Sequence, residues 1–263
     1  MSAILSVEAL EKSFGSLVAA RDISLDVPPE QTIGIIGANG AGKTTFINMI
    51  TGHLRPSKGR IRFEDRDITG RPSREITRLG ISRSFQVAQL FPSLTVFENV
   101  CAAAAIARGS ASAVRQAATP LRSDATMAEA EAVIALFQIA RYRDSRAATL
   151  PQGARKLLDI GMAVTAWPRL LLLDEPTSGI SIEEKFDIME VVMTALKQRR
   201  ITVLFVEHDM EIVSRHADRV LAFHDGTVIA DGPPESTLGD ARVQALIVGT
   251  RLTLGAPAQA GDA

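Results

Sequence analysis

Apolar and polar residues alternate through the first 35 positions: Leu5 and Val7, then Ile23, Leu25 and Val27, then Ile33 and Ile35. A period of two sends successive side chains to opposite faces, so three β-strands are expected here. Pro28-Pro29-Glu30 separates the last two as a turn. A helical segment, residues 45–50, follows and stops at Thr51-Gly52, and Pro56-Ser57-Lys58-Gly59 makes another turn. Ile61–Phe63 and Asp67-Ile68 suggest a short hairpin, and residues 73–79 a short helix that leads to a strand over 80–85.

From about residue 93 to 166 the pattern changes. β-Branched strands vanish, and Ala-rich stretches with helical period predict helices over 95–108 and 126–140. Between them, 109–124 mixes Gly, Ser, Thr and Pro and reads as an exposed loop. The apolar run Leu170–Leu173 then stops at Asp174-Glu175. A helix over 183–198, a strand over 201–206, a helix over 209–216 and a strand over 219–223 complete the pattern, with a hairpin at Asp225-Gly226. The Ala- and Gly-rich end, 255–263, reads as disordered. The helical block between two α/β portions predicts a subdomain inserted into a core.

The chain has 263 residues, 46% of them hydrophobic, enough for one domain with an insertion. A formal net charge of −1 gives no electrostatic footprint for nucleic acid. The single cysteine, Cys101, excludes a disulfide framework; its Ala-rich surroundings make it a small buried residue rather than a nucleophile. Met1–Glu8 lacks a basic region followed by a long apolar one, so a first strand is expected there rather than a signal peptide. No run of about eighteen consecutive apolar residues offers a membrane span.

Candidate chemistry concentrates at Gly37-Ala38-Asn39-Gly40-Ala41-Gly42-Lys43-Thr44-Thr45, which fits the phosphate-binding pattern G-x-x-x-x-G-K-[ST] at every fixed position. A strand runs into it and a helix out of it, which argues against a mere glycine-rich turn. Glycines let successive backbone N–H groups point at phosphate oxygens, and the helix N-terminus adds positive potential. Lys43 supplies a point charge for the outer phosphates and Thr44 a hydroxyl for Mg²⁺. Hydrolysis also needs a second metal-side ligand and a group that activates water. Asp174 ends a buried strand and fits the first role; Glu175, next to it, fits the second as general base. His208 follows another apolar strand and can reach the same sheet edge. Gln86 ends a third and offers an uncharged amide that can ligate Mg²⁺ and sense the γ-phosphate.

In this order these elements resemble the ATP-binding subunits of ABC transporters, from about Leu5 to Gly249. The resemblance implies an α/β fold: a P-loop NTPase, ABC-type ATPase core with an N-terminal antiparallel β-subdomain and an inserted α-helical subdomain. The core would occupy 1–92 and 167–250, the helical signature subdomain 93–166, and a tail 251–263. Gly37–Thr45 then corresponds to Walker A, Leu170–Asp174 to Walker B, Glu175 to the catalytic glutamate, His208 to the switch histidine and Gln86 to the Q-loop. Phe14 falls where the family stacks an aromatic on adenine, although a core aromatic there is almost as plausible. ATP and Mg²⁺ are the implied ligands. Gly80–Gln86, Leu90–Val100 and Val206–Met210 look like importer ATPases for branched-chain amino acids, and 158–162 leans toward the related urea/amide branch. Such importers use a periplasmic binding protein, permease subunits and two ATPase subunits, which places this chain peripherally on the cytoplasmic face of the inner membrane.

Two positions depart from the family. The signature Leu-Ser-Gly-Gly-Gln reads Leu150-Pro151-Gln152-Gly153-Ala154, and the D-loop reads Ser178-Gly179-Ile180-Ser181, where aspartate or asparagine usually stands last. Pro151 has neither hydroxyl nor N–H to offer a γ-phosphate, and Gln152 carries a side chain where close backbone approach is expected. A heterodimer with a second ATPase subunit is therefore expected. The alternatives are a non-transport ABC ATPase and a regulatory nucleotide-binding module with weak hydrolysis. The single P-loop and the absence of a heptad run argue against the first, and Glu175 against the second.

Overall fold

The computed structural model describes residues 3–84, 90–109 and 123–249. Gln86, the 109–124 loop beyond Gly109 up to residue 122, and the 251–263 tail lie outside the described residues.

Two sheets share one apolar layer. The first comprises β1 (Leu5–Phe14), β2 (Leu17–Val27), β4 (Lys58–Phe63) and β5 (Arg66–Asp67), antiparallel in the order β2-β1-β4-β5. The second contains β3 (Thr32–Gly37), β6 (Ile81–Ser84), β7 (Leu170–Asp174), β8 (Thr202–Val206), β9 (Arg219–His224) and β10 (Thr227–Gly232), in the order β10-β9-β3-β8-β7-β6. All its neighbours are parallel except β9 and β10, which Asp225-Gly226 joins as a hairpin at φ 45 and 76. Two positive φ angles in succession are what a two-residue turn needs, and Asp-Gly tolerates them.

Both faces of the parallel sheet are covered, so its strands are apolar throughout rather than alternating. Leu170, Leu172, Leu204, Val206, Leu221 and Phe223 pack with Phe46 and Ile47 of α1 (Lys43–Ile50), with Ile76 of α2 (Ser73–Leu79) and with Leu5, Val7 and Ile23 of the antiparallel sheet. The intervening residues Leu171, Leu173, Val203, Phe205, Val220 and Ala222 face the opposite core. There they meet the helical block, α3 (Val96–Gly109), α4 (Asp124–Leu136) and α5 (Gln152–Val164), together with α6 (Ile182–Gln198) and α7 (Met210–His216). The helix expected over 126–140 ends at Leu136, because Gln138 turns left-handed at φ 56 and a short 3₁₀ turn, Ala140–Tyr142, takes over. Cys101 is buried in this core, as its Ala-rich setting suggests.

Register places the chemistry. Ile35 lies beside Val206, and Val206 beside Asp174. The residues that follow each, Gly37 onward, Glu207-His208 and Glu175, therefore emerge together at the C-terminal edge of the sheet, where open α/β sheets bind ligands.

Candidate nucleotide site

The loop between β3 and α1 is shaped by three left-handed glycines: Gly37 at φ 154, Gly40 at φ 82 and Gly42 at φ 99. Two of them also have no room for a side chain. A Cβ on Gly37 would lie 2.5 Å from the Phe223 carbonyl, and one on Gly42 would lie 2.6 Å from that of Ala19. Gly40 faces open space. The loop is thus wedged against β9 and β2 on one side and open on the other, the form of a cradle for an anion.

Lys43 is buried at 6% exposure, and its ammonium donates to the carbonyls of Gly37 and Ala38 at 2.7 and 2.9 Å. Burial pushes its pKa down from the usual lysine range, while Glu175 and Asp174 oppose that shift. Asn39, Gly40, Ala41, Gly42, Lys43, Thr44 and Thr45 bound a cavity of about 130 Å³ whose far wall is Glu175, Val206 and His208. The P-loop, Glu175 and His208 thus line one cavity.

Glu175 sits at φ 48, a conformation uncommon outside glycine and frequent at functional sites. Its backbone N–H donates to Val206, and its Oε1 lies 2.9 Å from His208 Nε2. Asp174, 7% exposed, accepts from Arg83 Nη2 at 2.6 Å. Arg83 in turn donates from Nη1 to Asn48 Oδ1 on α1, also at 2.6 Å. Phe14 is 50% exposed at the end of β1, so it is not a core aromatic. β2 folds back beside it until Ala19 backs the P-loop.

A metal–nucleotide pair fits these residues. The cradle shares a cavity with Glu175 and His208, and Thr44 and Asp174 offer the hard oxygens Mg²⁺ prefers. Among the described residues no group of three or more His, Cys, Asp or Glu could hold a metal.

Residues 150–154 sit at the start of α5. Pro151 is the N-cap of α5 and makes no side-chain capping bond, and Gln152 is exposed. The Gln152 amide nitrogen lies 3.2 Å from where a Cβ on Gly179 would stand, so the segments around 152 and 179 are neighbours. Gly153 packs against α6 so closely that a Cβ would fall 2.3 Å from Ile188 Cδ1. Ser181, the D-loop departure, is the N-cap of α6 and accepts from the Glu184 N–H.

Several participants escape a reading of the chain. Arg83 and Asn48 sit 35 positions apart, Arg83 and Asp174 91 apart, and only the fold joins them. Glu207, 4% exposed, accepts from the Thr177 N–H and hydroxyl. Lys156 of α5 is 5% exposed; burial holds its pKa below the usual range, partly offset by Asp159, Glu207, Asp174 and Glu175. Arg155, Lys156 and Asp159 all fall in this helix, so the chain alone does not single out the lysine.

The sequence pattern of the ABC transporter family matches residues 20–178, more than half of the chain. The chain belongs to the ABC transporter family. It is an ATPase subunit of that family, which binds nucleotide and acts with membrane permease components. It is 32% identical over 235 residues to the high-affinity branched-chain amino acid transport ATP-binding protein LivG of Escherichia coli, covering 88% of this chain and 92% of that one. It is 34% identical over the same shares to BraF of Pseudomonas aeruginosa, named for the same transport. The fold matches the ADP conformation of MJ1267, an ATP-binding cassette of an ABC transporter, with a TM-score of 0.82 and 30% identity, over 97% of this chain and all of that one. It also matches cbiO1 of Clostridium perfringens, part of the transporter complex cbiONQ, with a TM-score of 0.79 and 25% identity. Among the described residues no helix is long and apolar enough to cross a membrane.

Proposed function

We propose that this chain energises an importer of branched-chain amino acids from the cytoplasmic face of the membrane, and that it works beside a second, non-identical ATPase subunit. The observation that carries the hydrolytic reading is the 2.9 Å contact of His208 Nε2 with Glu175 Oε1 across the cavity from Lys43. The names of the relatives support the solute; a related small polar solute such as urea or an amide is the second reading.

Backbone N–H groups of residues 37–45 bind the phosphates, and Lys43 exchanges its bonds to Gly37 and Ala38 for the outer phosphates. Thr44 and Asp174, with Gln86, would hold Mg²⁺, which would supply positive charge against the phosphates. Glu175 orients a water and takes its proton as the water attacks the γ-phosphorus. His208 holds the carboxylate in place and faces the γ-phosphate side. Phe14, exposed at its hairpin end, stacks on adenine.

The partner's role follows from Pro151 and Gln152. Lacking a hydroxyl and an N–H at Pro151, this chain's signature offers fewer donors to a nucleotide held by the opposite subunit. One site, built from this chain's own Lys43, Asp174, Glu175 and His208 and closed by a partner's signature, would be competent; the reciprocal one would hydrolyse slowly. Copurification from the native host tests the pairing: a complex with a single ATPase chain and strong turnover contradicts it. Reconstitution with the cognate permease and binding protein tests the solute. ATPase stimulation by leucine-loaded binding protein is expected, whereas stimulation by urea alone would select the second reading.

A further inference from the structure

Arg83 belongs to neither the P-loop nor the carboxylate pair, yet its side chain touches the elements that carry both. It stands on β6, one register position before Ser84, and is only 12% exposed along its side chain. One guanidinium nitrogen donates to Asp174 Oδ2 and another to Asn48 Oδ1 on α1, both at 2.6 Å. The same residue lines a separate cavity of about 380 Å³, walled by Thr51 and His53 after α1, Ile106 of α3, and Asp159 and Met162 of α5. A planar fork is the side chain able to hold two acceptors on different elements at once.

We propose that Arg83 is a positioning residue for the metal-side carboxylate. By occupying Oδ2 it fixes the Asp174 side chain and leaves Oδ1 to face the metal shell. Through Asn48 it keeps that carboxylate in register with the helix that begins at Lys43 and Thr44. The inference rests on the assignment of Asp174 to the metal side of the nucleotide.

The test is binding of a fluorescent ATP analogue to the full-length chain with Mg²⁺ and with EDTA. The ratio of the two affinities isolates the metal contribution. In wild type Mg²⁺ should tighten binding clearly. Arg83→Met should reduce that gain about 5–10-fold while affinity in EDTA, set by the P-loop, changes less than about 2-fold. Arg83→Lys reaches one acceptor and should recover part of the gain. Should Arg83→Met fail to fold, Asn48→Ala removes one anchor and leaves Asp174 paired; a smaller loss in the same ratio is expected. An unchanged or increased Mg²⁺ gain in these variants overturns the proposal, since Arg83 would then be a mere ion-pair partner or a competitor of the metal. No Mg²⁺ gain in wild type would instead overturn the metal assignment of Asp174, and this inference with it.

Discussion

Glu207 Oε1 accepts both the backbone N–H of Thr177, at 2.9 Å, and its hydroxyl, at 2.7 Å. Glu207 follows β8 and Thr177 follows β7, so one buried carboxylate ties together the two loops that present His208 and Glu175. Its second oxygen accepts from the His208 N–H at 3.1 Å. Hydrogen bonds to a charged group are worth more than neutral ones. Thr177→Ala should therefore cost about 1.5–3 kcal/mol in urea unfolding, and Thr177→Ser, which keeps the hydroxyl, should recover most of it. Equal stability of the alanine and serine variants would show that the hydroxyl contributes nothing.

Glu175→Gln keeps size and hydrogen bonding to His208 but cannot take a proton. Hydrolysis should fall about 10²–10⁴-fold with ATP affinity preserved. Single-turnover hydrolysis and equilibrium binding, measured on the same preparation, separate the two. Loss of both together would make Glu175 a structural residue.

The signature departure makes a prediction whose sign can be split. Pro151→Ser with Gln152→Gly and Ala154→Gln should raise ATPase activity of the chain alone. In Pro151→Ser alone, serine at the N-cap position of α5 should also raise stability by about 1 kcal/mol, independently of catalysis. A stability gain without an activity gain would remove the main support for a second ATPase subunit.

Asp209 caps α7 and pairs with Lys185 of α6. Burial raises its pKa, but bonds from Lys185 and from the N–H groups of Ile212 and Glu211 outweigh this and leave it below the usual carboxylate range. A depressed pKa gives stability that is fully present above the unfolded value, about 3.9, and is lost as pH falls through the folded one. Asp209→Asn, which still caps, should cost about 1 kcal/mol near neutrality, and the difference should shrink as pH falls below the unfolded value. Thermal unfolding of both proteins across that range checks it; a pH-independent difference would mean that the ion pair is not its source.

How much of this was legible in the chain depends on the distance over which each feature is determined. The P-loop is a local device: Gly37, Gly42 and Lys43 act within one turn, and their spacing alone predicts the cradle. Leu170–Asp174 announces a strand buried on both faces because nothing polar interrupts it before the carboxylate. The family's expected α/β core with an antiparallel sheet is likewise present. Arg83 is different. An arginine in Ile81–Ser84 reads as one more alternating polar residue, and only the β6-β7 pairing brings it to Asp174. Glu207 looks like a neighbour of His208 until Thr177, 30 positions earlier, is folded against it. The early end of α4 escaped too, since nothing in Gln138 itself demands a left-handed backbone. Phe14 was balanced between a core and an exposed reading, and its 50% exposure decides that much.

Gly153 faces Ile188 of α6, whose Cδ1 would stand 2.3 Å from a Cβ placed on the glycine. That methyl ends a side chain that can rotate, so alanine at 153 would displace it at modest cost. A branched or longer residue would have no such escape and would wedge α5 away from α6, forcing an overlap or opening a void in a close-packed interior. The spacing of the two helices is therefore set by the smallest side chain between them.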